Sequence, residues 1–220
     1  MADIHHFYHM YTNGNWEWPT REHIEALQKY GLAENLTTFQ VGLVGSPESR
    51  EQAKEFLNST EIQYSICTEV DDGWEQETQD KIHEFSQEND GYVLYSHTKN
   101  AVNINNLHVH WRRSMTYYTA VLWKECIEFL DQNVSGVGSH YLPESNNEVH
   151  SRSGFFAGTY WWTHLKYIRR FPLPDRSSRY GAEGWIGWLK ETVEGMGEPF
   201  TIKDFNPTHP AEHSGMVIDW

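Results

Sequence analysis

From Ile4 to Tyr11 the chain alternates in a way that suits a strand, with His5, Phe7 and His9 on one face and His6, Tyr8 and Met10 on the other. After Pro19 the spacing changes. Ile24, Leu27 and Tyr30 recur at helical intervals, Pro19 suits a first turn and Gly31 a left-handed stop, so a helix is predicted over 19–30. Phe39–Val44 reads as a second strand, Ser46-Pro47 opens a helix with Ala53, Phe56 and Leu57 as its apolar stripe, and Ile62–Cys67 reads as a third strand. From Trp74 onward Thr78, Ile82 and Phe85 lie about one turn apart, and Tyr92–Ser96 is a short, near-continuous apolar strand. Strands alternating with helices predict an α/β fold in which a mostly parallel sheet is flanked by helices.

The second half reads differently. Met115, Tyr118, Leu122, Cys126 and Phe129 predict one long helix over 113–130, followed by a Gly-rich bend at 136–139 and a short run ending at Gly158. A helix is predicted from Trp161 to Arg170, stopped by Pro172 and Pro174, another over 182–193, and an extended tail over 201–220 that carries Pro207 and Pro210. The expected organisation is a single compact domain over 1–200, with halves 1–100 and 101–200, plus that tail.

Charge and composition narrow the functions. Seventeen Lys and Arg against 31 Asp and Glu give a net charge of −14, a field that repels polyanions and disfavours general nucleic-acid coating. Ten Trp, 12 Tyr and 10 Phe supply flat faces for a core, for bases or for sugar rings. Cys67 and Cys126 stand outside any CxxC, so a thiolate zinc site and a disulfide scaffold lack support and a reducing compartment fits. With no leader-like start and no run near the roughly 20 apolar residues of a membrane span, a cytoplasmic protein is expected. Gly42 and Gly45 do not make GxGxxG, no P-loop occurs, and the sequence around Ser139 is not GxSxG. His5 with His9, and His108 with His110, have the spacing of alternate strand ligands, but no HExxH or Cys/His ladder accompanies them, and no metal site is assigned.

Four segments carry more information: "LYSHTKN" at the end of the fourth strand, "VHWRRSM", "SGFFAGTYWW" and "RYGAEGWIG". Their order resembles that of small glycosyltransferase-like proteins with a GT-A-type fold, matched at Leu94, Tyr95, His97, Thr98 and Lys99; at Trp111, Arg112 and Met115; at Gly158, Trp161 and Trp162; and at Glu183, Trp185 and Ile186. The resemblance covers roughly residues 4–190. It departs at Asn100, where the family pattern has Gly.

The resemblance implies an enzyme that moves a sugar from a nucleotide-sugar donor, UDP-type, to a glycan or protein hydroxyl, with a donor half over 1–100 and an acceptor half over 101–200. Many GT-A enzymes hold Mn²⁺ with an Asp-x-Asp after the fourth strand. Here His97 and Lys99 take that place, and Asp71-Asp72 and Glu88 with Asp90 precede the strand. A metal-independent site is therefore favoured over Mn²⁺ or Mg²⁺, with Lys99, Arg112 and His97 as contacts to the departing diphosphate. Glu183 is the expected base toward the acceptor hydroxyl, or else a partner for Arg179. The resemblance further implies acceptor contacts from Trp161, Trp162 and Arg179, a base docking at His9 and Tyr11 where the first strand ends, and a ribose contact from Asp71 or Asp72. Three other readings stand beside this one. Phage-type glycosylation of modified DNA bases would use the cluster Arg169, Arg170, Arg176 and Arg179; a carbohydrate-binding protein would rest on the aromatic content; an inactive transferase fold would keep only interactions.

Overall fold

The computed structural model describes residues 2–99, 101, 106–143 and 154–205; Asn100 and the tail prolines Pro207 and Pro210 lie outside them. Four parallel strands build the first half: β1 (Ile4–Tyr11), β2 (Thr38–Val44), β3 (Ser65–Val70) and β4 (Tyr92–His97), connected in turn by α1 (Glu17–Lys29), α2 (Pro47–Asn58) and α3 (Gln76–Ser86), with a segment over 101–143 following β4. That segment contains α4 (Asn106–Thr116), a π-helical turn (Tyr117–Val121), α5 (Trp123–Asp131), β5 (Gly136–Gly138) and β6 (Tyr141–Leu142). Then come β7 (Phe155–Phe156), β8 (Trp161–His164), α6 (Leu165–Ile168), α7 (Tyr180–Trp185), α8 (Trp188–Gly195) and β9 (Ile202–Asp204). One seven-stranded sheet runs β3-β2-β1-β4-β8-β5-β9, with β8 antiparallel to both of its neighbours and the rest parallel, and β6 pairs with β7 in a separate ribbon.

The chain steps outward from β1 to β2 and β3, then returns to place β4 on the other side of β1. This reversal opens a crevice at the carboxyl ends of β1 and β4, the usual ligand position in such sheets. Helices cover both faces, which is why β1 is buried on both sides. Tyr8 and Met10 join Ile24 and Leu27 of α1, Phe56 of α2 and Trp123 of α5 in one core, and Phe7 joins Ile82, Tyr95 and Trp185 in the other. No helix among the described residues is long and apolar enough to cross a membrane.

The second half corrects several expectations. The helix expected at 113–130 starts at Asn106 and is broken by the π turn, so Trp111, Arg112 and Arg113 lie inside it. The expected Gly-rich bend is β5, where Gly136 and Gly138 have no side chain to strike Leu189 and Phe156, and β5 lies between β8 and β9. Trp161 and Trp162 begin a strand, not a helix. Strand alternation sends Trp161 into one core and Trp162 into the other, each fully buried, so neither indole presents a face to a sugar. His108 and His110 are on α4, not on a strand.

Candidate active site

His9 and His97 are register partners at the carboxyl ends of β1 and β4, beside the crevice. Thr98 fixes the exit of both strands, its N–H donating to His9 O (2.9 Å) and its hydroxyl accepting from Tyr11 N (2.8 Å). Gly42 on β2 allows α3 to come close: a Cβ there would stand 2.0 Å from Thr78 Oγ1, and that hydroxyl bonds His9 Nδ1 at 2.9 Å. Burial, partly offset by Glu75, pushes the His9 imidazole down to about 4.

Glu75, the residue before α3, is the group that sequence reading did not single out. Its Oε1 lies 3.4 Å from His97 Nδ1, and Tyr95 donates to its Oε2 at 3.1 Å. Burial raises the Glu75 carboxyl, against the pull of His9 and Lys99. His97 donates from Nε2 to Gly158 O (2.9 Å), its own carbonyl accepts from Tyr160 Oη (2.5 Å), and burial with Lys99 nearby pushes its ring down to about 3. Lys99 stands with its ammonium 4.3 Å from the centre of the Trp111 ring; burial lowers it while Glu183 and Glu75 draw it back up. The Arg179 guanidinium packs on Tyr180 and feels both Glu183 and Glu75.

The segment that brings in Arg179 and Glu183 is docked on α3. Gln76 donates to Asp175 O (3.0 Å) and Ser178 O (2.8 Å), Gln79 donates to Ala182 O (2.9 Å), and Arg176 pairs with Glu77 and Asp80. The structure thus gathers His9, Glu75, His97, Lys99, Arg179 and Glu183, two cations among carboxylates and imidazoles, at the crevice. Tyr11 is half-buried at the strand end, and Asp71 follows β3 at the same sheet edge with its carboxylate on Arg50 (2.7 Å).

Arg112 does not join this group. It is 2% exposed, paired with Glu22 of α1 and stacked over Trp18, because α4 turns it toward α1. The basic cluster is likewise engaged: Arg169 binds Asp90 (2.5 Å) and Arg176 its two α3 carboxylates. His5 and His9 are spoken for separately, His5 by Thr38 Oγ1 and Asp90 O, and among the described residues no three His, Cys, Asp or Glu side chains are grouped to hold a metal. Trp74, next to Glu75, is the large aromatic left open near the crevice, 49% exposed.

A family model described as a domain of unknown function, DUF8361, matches residues 7–187. No curated protein sequence matches the chain. Among solved structures, 4-diphosphocytidyl-2C-methyl-D-erythritol synthase from Anaerococcus prevotii is similar with a TM-score of 0.50 at 9% identity, over 99% of this chain and 92% of that one. A mannosyltransferase from Pyrobaculum calidifontis, solved with GDP-Man and Mn²⁺, gives 0.49 at 11% identity, over 94% of this chain and 58% of that one. At 9% identity the likeness to the synthase is one of fold alone.

Proposed function

The chain belongs to the DUF8361 family, and from the charges gathered at its crevice we infer that it transfers a sugar from a nucleotide-diphosphate donor to a hydroxyl acceptor. The observation that carries the reading is Lys99, held among Glu75, Glu183 and Arg179 where the sheet reverses its strand order. A departing diphosphate gains negative charge as the bond to the sugar breaks, and positioned cations in a cleft stabilise that charge most where water is scarce. Lys99 and Arg179 fill this role. Glu183 takes the proton of the acceptor hydroxyl, and Tyr11, Asp71 and the open face of Trp74 border the nucleoside.

A divalent cation does not fit this donor set. Glu183 acts on the Lys99 ammonium, Glu75 is raised by burial, and Asp71 faces Arg50. The chemistry is therefore assigned to the side chains. The DNA reading loses its motive because Arg169 and Arg176 are engaged by carboxylates, and the binding-module reading loses Trp161 and Trp162 to the core.

A thermal-shift panel of nucleotides and nucleotide sugars, run in EDTA and again with Mn²⁺, tests the proposal. A ligand at 100 times its Kd adds about 2.7 kcal/mol to stability. A shift with one nucleotide sugar in EDTA is expected. A shift that needs Mn²⁺ overturns the role of Lys99, a shift with nucleoside triphosphates alone points to nucleotidyl transfer, and no shift at all overturns the transferase.

A further inference from the structure

We propose that Glu75 and His97 hold one proton between them, and that Glu75 delivers it to the diphosphate oxygen as the donor's bond to the sugar breaks. This rests on the transferase reading above. The argument begins with His97 Nε2, which faces a carbonyl, Gly158 O, at 2.9 Å and must therefore carry a hydrogen. A neutral ring then has a bare lone pair on Nδ1, and Glu75 Oε1 lies 3.4 Å from that nitrogen. A carboxylate facing a lone pair repels it. A proton between the two atoms turns the repulsion into a hydrogen bond, whether it is written on oxygen or on nitrogen. The second oxygen of Glu75 accepts from Tyr95, as the carbonyl oxygen of a carboxylic acid should.

The surroundings decide where the proton rests. His9, Lys99, Arg179 and Glu183 act on the pair from β1, from the loop after β4 and from the start of α7, and His9 is already bonded to Thr78. Burial raises the Glu75 carboxyl and lowers the His97 ring, and both directions favour the shared proton on oxygen over nitrogen. Accessibility assigns the roles. The Glu75 side chain is 21% exposed and so open to a ligand; that of His97 is 9% exposed, with Nε2 on Gly158 O and Nδ1 beside Glu75. Glu75 is thus the proton donor and His97 the positioning residue that orients it.

In the transfer step the bond from the anomeric carbon to the diphosphate oxygen breaks, and its electron pair stays on that oxygen, which takes the Glu75 proton. The acceptor oxygen forms the new bond to the anomeric carbon, and its proton passes to Glu183. Solvent restores both carboxyl groups after the nucleoside diphosphate leaves. Two carboxyl groups thereby act in opposite senses in one site, set apart by their surroundings.

Two measurements test this on the full chain. Nitrogen-15 NMR of the wild-type protein reads the His97 tautomer between pH 8 and 5: a neutral ring with hydrogen on Nε2 and a hydrogen-bonded Nδ1 acceptor throughout is expected, and titration near the ordinary 6.5, or hydrogen on Nδ1 in a neutral ring, overturns the shared proton. Glu75→Gln keeps a donor toward His97 and an acceptor for Tyr95, so the fold should survive. With the nucleotide sugar found by the thermal panel, and water as acceptor, release of nucleoside diphosphate should fall about 100-fold or more in kcat, with donor KM within about threefold and the alkaline limb of the rate profile gone. A kcat within about threefold of wild type overturns the delivery step. If no nucleotide sugar binds the wild-type protein, the transferase reading and the delivery step fall together, while the NMR result still decides the shared proton.

Discussion

Acidification from pH 7 to pH 5 should remove about 6 kcal/mol of folding stability through three buried imidazoles. Burial holds His9 at about 4 and His23 and His97 at about 3, against about 6.5 in an unfolded chain. A group depressed in the folded state contributes stability that is complete above its unfolded pKa and is lost as pH falls, because the unfolded chain takes up a proton that the folded one refuses. At pH 5 an imidazole of unfolded pKa 6.5 is almost fully charged in the unfolded chain and neutral here, which costs about 2 kcal/mol each after subtracting the small uptake at pH 7. His6, also lowered, adds in the same direction; it shares the Ser96 hydroxyl with His23, at 2.8 and 3.1 Å, and cannot charge beside it. The raised Glu75 carboxyl opposes them, holding its proton in the folded state above the pH at which the unfolded chain would release it. Since whole-domain stability is about 5–15 kcal/mol, the loss should be plain in urea unfolding at pH 7, 6 and 5. His23→Gln should flatten the pH slope by about one proton while shifting the curve as a whole. A change below about 2 kcal/mol between pH 7 and 5 would refute the assignment of neutral buried rings.

Other perturbations probe the frame. Trp162→Ala removes a fully buried indole that donates to Thr119 O at 2.8 Å, and should cost about 4 kcal/mol in denaturant unfolding. Gly158→Ala places a Cβ 2.4 Å from Met115 Sδ at a φ of +88°; a loss of about 2 kcal/mol is expected, with the His97 ring signals displaced in NMR spectra. Arg112→Ala leaves Glu22 with Arg113 alone (2.5 Å) and should cost about 3 kcal/mol, yet leave donor affinity unchanged in the thermal panel, as befits a residue away from the crevice. Gln79→Ala frees the Ala182 carbonyl and should cost about 1 kcal/mol while lowering turnover more than donor binding.

The first half of the fold was legible in the sequence because each of its elements has one dominant period. β1 was placed at its observed bounds, β2 and β4 within a residue of theirs, and α2 at its observed start, since apolar alternation and an N-capping Ser46 mark them directly. β3 slipped by three residues: Ile62 and Tyr64 pack ahead of the strand, and as an edge strand β3 has little buried pattern of its own. The second half failed where a strand is short and buried on both faces. Trp161–His164 leads directly into α6, and its apolar residues satisfy either period until β4 and β5 are known to flank it. In the site, His97 and Lys99 were found from the motif after β4. Glu75 was missed because it stands in a turn, outside any periodic run; the available signal was Gly73-Trp74-Glu75 shortly after a strand, and its partners Tyr95 and His97 come from β4, distant in sequence.

The docking of residues 175–182 on α3 has a consequence for how this protein can change. Gln76 and Gln79 grip main-chain carbonyls, which every residue possesses, so apart from the Arg176 pairs with Glu77 and Asp80 the attachment does not depend on the side chains of that stretch. Gly181 is a further exception, since any Cβ there would lie 1.9 Å from Asp175 O. Around those fixed points, Ser177 and Ser178 are open to replacement without unseating the arm that bears Arg179 and Glu183. Under the transferase reading, exchanging those two serines would change what the loop offers an acceptor while Arg179 and Glu183 stay in register, a separation of recognition from chemistry within a single loop.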